Sequence, residues 1–171
     1  MVVGTLLYAA LTIPFNQIPG GGDLIAVKPT VAIPMLLGIV FGPITGFVVG
    51  LIGNILSDFV SFGGFFWNWE IGNGLLGVIP GIAYLVMKRT EWTKGRGLAI
   101  AAILAIVASV VGVGFAVMTD YLFQIRIAAA DSALADFYFF GGSYAVNGAI
   151  LTPILLYIYA MATSRRARRA K

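Results

Sequence analysis

The chain has no cysteine and no histidine among its 171 residues. Thiolate and imidazole metal sites, Cys or His nucleophilic machinery and the usual proton switch near neutral pH are therefore excluded, and neither a metal nor a cofactor is expected. Charge is scarce as well: 11% of residues are Asp, Glu, Lys or Arg, against roughly a quarter in an ordinary soluble domain. No G-x-x-x-x-G-K-[ST] run occurs, so the chain has no phosphate-cradling loop, and any ATP hydrolysis tied to it belongs to another subunit.

What is abundant is apolar. Hydrophobic residues make up 60% of the chain and the mean hydropathy is strongly positive, the composition of an integral membrane protein. At about 20 residues per span the length allows five to seven transmembrane helices, and residues 1–171 are read as one all-α membrane domain. Six spans are expected: Val2 to Ile13, reaching Phe15; Lys28 to Phe41, interrupted by Pro34; Ile44 to Val60; Trp69 to Met87, kinked at Pro80-Gly81; Leu98 to Ile125; and Phe137 to Met161. The first two are short for about 30 Å of hydrocarbon. The opening residues have neither a basic n-region nor a clean cleavage site, so they read as a first span and not as a signal peptide. Pro14, Pro19 and Gly20-Gly21-Gly22 mark a loop holding Asn16, Gln17 and Asp23, and Arg126 to Asp136 reads as an amphipathic connector.

Nine of the eleven basic residues lie in two segments: Lys88, Arg89, Lys94 and Arg96 in one loop, and Arg165, Arg166, Arg168, Arg169 and Lys171 in the tail. The positive-inside bias makes both segments cytoplasmic, and six spans then put both termini in the cytoplasm. Six of the seven acids fall in or near the opposite, outward half, with Lys28 and Arg126.

The stretch from Phe41 to Gly77 carries the most pattern. Gly42, Gly46 and Gly50 recur every four residues, one smooth helical stripe that either packs helices within the bundle or offers a sliding surface to another subunit. Asn54 and Asp58 share a face one turn on, and Asp58 either caps the loop, pairs with Lys28 or touches a ligand. Trp67, Asn68, Trp69, Glu70 and Asn73 then bring rings, amides and a carboxylate together. The two tryptophans are either headgroup-level belt residues or ligand stackers. Asp120 and Gln124 near the end of span five, and Tyr144 and Asn147 at the start of span six, fall at the same depth. An unpaired charge within a span costs about 2.5–3.5 kcal/mol on insertion scales. Three helices converging with polar groups at one level are therefore what a pocket needs; the plain alternative is a wet rim with salt bridges from Lys28 or Arg126.

These residues resemble the substrate-binding S components of energy-coupling factor (ECF) vitamin transporters. The likeness is carried by FGP at Phe41-Gly42-Pro43, the spaced glycines, the Gly53-to-Asp58 stretch and W-x-W at Trp67 to Trp69, in the manner of the riboflavin-type branch; Asn54 stands where that branch often has His. The resemblance implies a multi-pass protein of the bacterial cytoplasmic membrane. It would bind a small water-soluble vitamin from outside and work with an ECF coupling transmembrane subunit and two ATPase subunits. Riboflavin or another flavin is the first expected cargo, and thiamine or its pyrimidine precursor the second. The expected binding residues are Trp67, Asn68, Trp69, Glu70, Asn73, Asp120, Gln124, Tyr144, Asn147 and Lys28. The family's Ala-x-x-x-Ala docking patch is matched by Thr5 and Ala9, with Gly4 and Ala10 beside them. A stand-alone secondary transporter or channel is the rival reading, although its ionisable sites would sit nearer the bilayer midplane. An intramembrane enzyme has little to rest on, since no nucleophile has a base partner. The basic tail reads as a topology anchor on anionic lipid, and no nucleic-acid partner is expected.

Overall fold

A computed structural model describes residues 1–16, 28–125 and 129–169. Gln17, Asp23, Arg126 and Lys171, all weighed above, lie outside the described residues. Every regular element described is helical: α1 (Val2–Asn16), α2 (Ala32–Phe41) preceded by a 3₁₀ turn (Pro29–Val31), α3 (Pro43–Phe62), α4 (Trp67–Val86), α5 (Gly95–Leu122), α6 (Ala130–Asp136) and α7 (Gly142–Arg169), the last two joined by a π turn over Phe137–Gly141.

Four helical runs are long and apolar enough to cross a membrane: Pro43–Phe62, Trp67–Val86, Gly95–Leu122 and Ala130–Ser164. Val2–Asn16 and Pro29–Phe41 are apolar but shorter, about 20 Å each at 1.5 Å per residue, against a core of about 30 Å. Large side chains such as Ile44, Leu85, Val86 and Ile103 stand exposed around the outside, which suits a lipid environment and not water.

Proline and glycine set the boundaries. Pro34 does not interrupt the second apolar run: the 3₁₀ turn from Pro29 passes directly into α2, and the helix continues through Pro34 to Phe41. Pro43 opens α3, and Gly63 closes it in the left-handed conformation at φ 68°. The expected connector before the sixth span is itself helical from Ala130, so α6, the π turn and α7 form one run.

Between helices in a bilayer there is little hydrophobic drive, so close backbone approach has to supply the packing. At the α3–α4 crossing a Cβ on Gly46 or on Gly77 would collide with the other's backbone, and one on Gly50 would strike the carbonyl of Asn73. The glycine stripe thus packs α3 on α4 and brings the N-terminal turns of α4 against the C-terminal half of α3. α5 follows α4 through a second close approach, Gly72 on Gly112.

The ends of the bundle differ. The turn after α4 is pinned by Trp92, which is 3% exposed, sits against the Tyr159 ring and carries the Arg89 guanidinium 5.5 Å above it. Lys88, Lys94 and Arg96 are exposed there. The carboxylates and amides described next gather at the opposite end, where α1, α3 and α5 finish and α4 and α7 begin.

Candidate functional site

The polar cluster is built around Asn54, 1% exposed near the middle of α3. Its amide nitrogen donates to Asp58 Oδ2 at 2.9 Å and to Glu70 Oε2 at 2.8 Å, while its oxygen accepts from Lys28 Nζ at 3.3 Å. Every hydrogen-bonding atom of that side chain is therefore committed, and each bond reaches a different part of the chain. Asp58 also accepts from Asn16 Nδ2 at the end of α1 (3.0 Å) and from Ser57 Oγ (3.4 Å). Glu70 is fully buried in the first turn of α4, where the positive helix end favours a carboxylate, and it also accepts from the Phe66 backbone N–H at 3.5 Å.

Three further contacts close the cluster. From the centre of α1, Tyr8 donates to Asn73 Oδ1 at 3.0 Å, and Asn73 Nδ2 donates to the Trp69 carbonyl one turn back. The Lys28 ammonium stands 5.5 Å from the centroid of the Tyr144 ring, which ties α7 to the same centre. Lys28 and Asp58, weighed above as a direct pair, instead meet through Asn54.

A second group shares the start of α4 but faces α5. Asp120, fully buried, accepts from Asn68 Nδ2 at 2.8 Å and from Trp69 Nε1 at 2.7 Å, and Asn68 also donates to the Ala116 carbonyl. The Trp69 indole lies edge-on to Phe140 with centroids 5.1 Å apart, and Phe140 meets the Tyr144 ring in turn. Successive residues of α4 thus point in different directions: Asn68 and Trp69 toward α5 and the π turn, Glu70 and Asn73 toward α1 and α3.

Of the residues expected from sequence, Lys28, Glu70, Asn73 and Tyr144 come together around Asn54, and Asn68, Trp69 and Asp120 form the adjoining group. Three do not join. Trp67 is 40% exposed and packs edge-on against Phe115 and Phe123 on the outer surface. Gln124 lies beyond the end of α5, exposed and at φ 50°. Asn147 spends its amide on its own helix, donating to the Ser143 carbonyl and hydroxyl. One turn earlier in α7, Ser143 and Tyr144 are both buried, and of these Tyr144 meets Lys28; residues 3 apart differ by about 60° around a helix, so Asn147 does not share its heading.

Tyr8, Asn16, Asn54, Ser57 and Asp58 take part in the cluster but are absent from the expected binding set. Asn54 was legible as the i−4 partner of Asp58. Tyr8 had a fainter signal, a hydroxyl in the middle of a run of aliphatic residues. On α1 the expected docking residues also divide. Thr5 and Ala9 are buried, turned inward beside Gly53 and Tyr8, whereas Ala10 is exposed. Gly4 lines an apolar groove of about 1000 Å³ between α1, α2 and α7, with Leu7, Leu11, Ile33, Leu37 and Leu155. None of the Asn54 cluster lines that groove.

A lipid-facing helical bundle that buries carboxylates, amides and hydroxyls at one end, with a lysine beside them and no cluster among the described residues able to hold a metal, is a multi-pass membrane protein with a buried polar centre. The family model for the ECF-type riboflavin transporter, S component, matches residues 1–161. The chain is similar to a UPF0397 protein of Streptococcus thermophilus (strain ATCC BAA-491 / LMD-9), 32% identical over 176 residues that cover 99% of this chain and 95% of the relative. It is also similar to UPF0397 protein VS_II0189 of Vibrio atlanticus (29% over 124 residues, 70% and 67% covered) and to a UPF0397 protein of Onion yellows phytoplasma (38% over 84 residues, 48% and 45% covered). No solved structure gives a significant match. The chain belongs to the ECF-type riboflavin transporter S-component family. It is accordingly a vitamin-transporting membrane subunit of a family that works with an ECF module, and not an enzyme.

Proposed function

We propose that this chain captures a small water-soluble vitamin from outside a bacterial cytoplasmic membrane and passes it inward with a coupling subunit and two ATPases. Both termini then lie in the cytoplasm, with α1 and the Pro29–Phe41 segment counted as short spans in a locally thinned bilayer beside the four longer ones. The observation that carries the reading is the Asn54 centre. It gathers residues from α1, the start of the second apolar segment, α3, α4 and α7 at the end of the bundle opposite the basic turn. A stability role alone would be a poor reason to bury so many polar groups, since apolar packing of the same volume is often as stable. Riboflavin or another flavin is the first candidate cargo and thiamine or its pyrimidine precursor the second. Trp69, Phe140 and Tyr144 supply ring faces and edges beside the amides and carboxylates.

The groove lined by Gly4, Leu7 and Leu11 is the proposed docking face for the coupling subunit, with exposed Ala10 on the same helix. Thr5 and Ala9 hold α1 on α3 and support that face from behind. Ligand-induced melting shifts of the purified protein test the cargo: a flavin or a thiamine-type vitamin should raise the melting temperature. If neither class moves it, the assigned cargo is wrong. Uptake into proteoliposomes that lack any ATPase would instead favour a stand-alone transporter.

A further inference from the structure

The end of the bundle away from the polar centre gathers charge of one sign. Between Met87 and Leu98 the chain holds four cations, Lys88, Arg89, Lys94 and Arg96, against one acid, Glu91. All four cations are exposed. Glu91 is half-buried, and its carboxylate is committed to the turn itself, accepting from the Lys88 backbone N–H at 3.1 Å. The cations stand on a folded scaffold. Glu91 N–H donates to the Lys88 carbonyl and Lys94 N–H to the Glu91 carbonyl, each at 2.9 Å. Gly97 lies so close to the turn that a Cβ there would strike the Glu91 carbonyl, which holds the start of α5 against it. Trp92, buried against Tyr159, keeps the Arg89 guanidinium over its ring at 5.5 Å. The four cations are thus collected on one small, ordered turn, so little ordering is left to be done when an anion arrives.

The setting selects the kind of anion. Leu85 and Val86, which close α4 just before Lys88, are 68% and 74% exposed and face hydrocarbon. Ile103, about two turns along α5 from Arg96, is exposed to the same medium. The cations therefore sit where apolar surface gives way to water, the level of lipid headgroups. A soluble anion would gain nothing from apolar side chains at its shoulder. A phospholipid brings a phosphate to the cations and lays acyl chains along the apolar surface beside them.

We infer that the turn over residues 88–96 is a binding site for the headgroup phosphate of an anionic phospholipid, with Lys88, Arg89, Lys94 and Arg96 as its ligands. The contact fixes the depth of α4 and α5 in that leaflet. It is separate from the basic tail, whose cations follow the last span, and it rests on the membrane reading alone, whatever the cargo.

The test titrates the full-length protein in a neutral detergent with phosphatidylglycerol, with phosphatidylcholine and with inorganic phosphate, and counts bound lipid by native mass spectrometry. Both lipids carry a phosphate, but choline cancels its charge. The expected result on the unmodified chain is at least about tenfold tighter binding of phosphatidylglycerol than of phosphatidylcholine, with little displacement by inorganic phosphate. At about fivefold per cation near a membrane surface, the variant Lys88→Gln/Arg89→Gln/Lys94→Gln/Arg96→Gln should bind phosphatidylglycerol at least about 30-fold more weakly. The tail variant Arg165→Gln/Arg166→Gln/Arg168→Gln/Arg169→Gln should stay within about threefold of the unmodified chain. Equal affinity for the two lipids would overturn the inference whether or not the variants fold, and would leave the turn to an acidic protein surface. Displacement of the lipid by inorganic phosphate would make it a free-anion site, and loss of the preference in the tail variant but not in the turn variant would move the site to the tail; either result also overturns it.

Discussion

Replacing Asn54 by leucine isolates the contribution of the central amide, because the two side chains have similar volume and no large cavity opens. Three hydrogen bonds are lost, to Asp58, Glu70 and Lys28. Interhelical hydrogen bonds in membranes average about 0.6 kcal/mol, so the bonds themselves account for about 2 kcal/mol. Glu70 adds to this, since it is fully buried and keeps the Phe66 N–H at 3.5 Å; stripping a buried charge of a partner costs about 3–5 kcal/mol. Asp58 suffers less because Asn16 and Ser57 still reach it. A total loss of about 5–7 kcal/mol lowers the melting temperature by roughly 10–28 °C at about 2–4 °C per kcal/mol for a chain of this size.

The companion variant is Asn54→Leu with Glu70→Leu. With both partners apolar, most of the Glu70 share of the penalty should return. Thermal unfolding of the four proteins in one detergent, read as a double-mutant cycle, gives the coupling directly. A melting temperature unchanged in Asn54→Leu, or a double variant no more stable than the sum of the singles implies, would refute the idea that Asn54 organises this centre.

Further expectations concern packing and the edges of the site. Gly46→Leu and Gly77→Leu should each prevent the α3–α4 crossing and abolish stable expression, whereas Gly95→Ala, which meets nothing within 4 Å, should be neutral or stabilising by up to about 1 kcal/mol in the same melting assay. Tyr8→Phe removes the hydroxyl on Asn73 and should cost about 1 kcal/mol with little change in fold by circular dichroism. Trp69→Phe should weaken vitamin binding at least about tenfold through loss of the bond to Asp120, while Trp67→Phe, on the outer surface, should leave affinity within about twofold; titration of the two variants separates them. Gln124→Gly relieves a left-handed backbone and should raise stability by about 0.5–1 kcal/mol.

Much of this architecture was legible before the coordinates. Long apolar runs, proline and glycine punctuation and the charge-poor composition pointed to a helical membrane bundle, and the start of α3 fell within a residue of its expected place. The weak points have physical causes. Pro34 reads as a break because proline removes a helical N–H, but the helix continues through it from Pro29 to Phe41. Pro14, expected to end the first span and open the loop holding Asn16, instead lies inside α1, which runs on to Asn16, and Pro80 lies inside α4, which runs on to Val86.

At the site, the depth of each residue can be read from its position in a span, and the structure brings Glu70, Asn73, Tyr144 and Lys28 to one end of the bundle near Asn54. Direction around the helix axis was harder. Asn147 and Tyr144 share a depth but not a heading, and Trp67 and Trp69, two residues apart, point about 200° from each other. Tyr8 and Asn16 carry little signal, because nothing in the sequence of α1 says that it packs on α3 and reaches Asn73 and Asp58. The inward turn of Thr5 and Ala9 has the same origin: a small-residue pair marks a face for close packing, and the sequence does not say whether the neighbour belongs to this chain or to another.

Native mass spectrometry of the protein purified from a vitamin-replete host, alongside its Asn54→Leu and Glu70→Gln variants, tests the placement of the cargo most directly. The expected result is a bound molecule of vitamin mass on the wild-type chain and its loss from both variants at matched folding, judged by circular dichroism. Retention of the same molecule at undiminished occupancy by both folded variants would contradict the assignment of the Asn54 cluster as the site of capture.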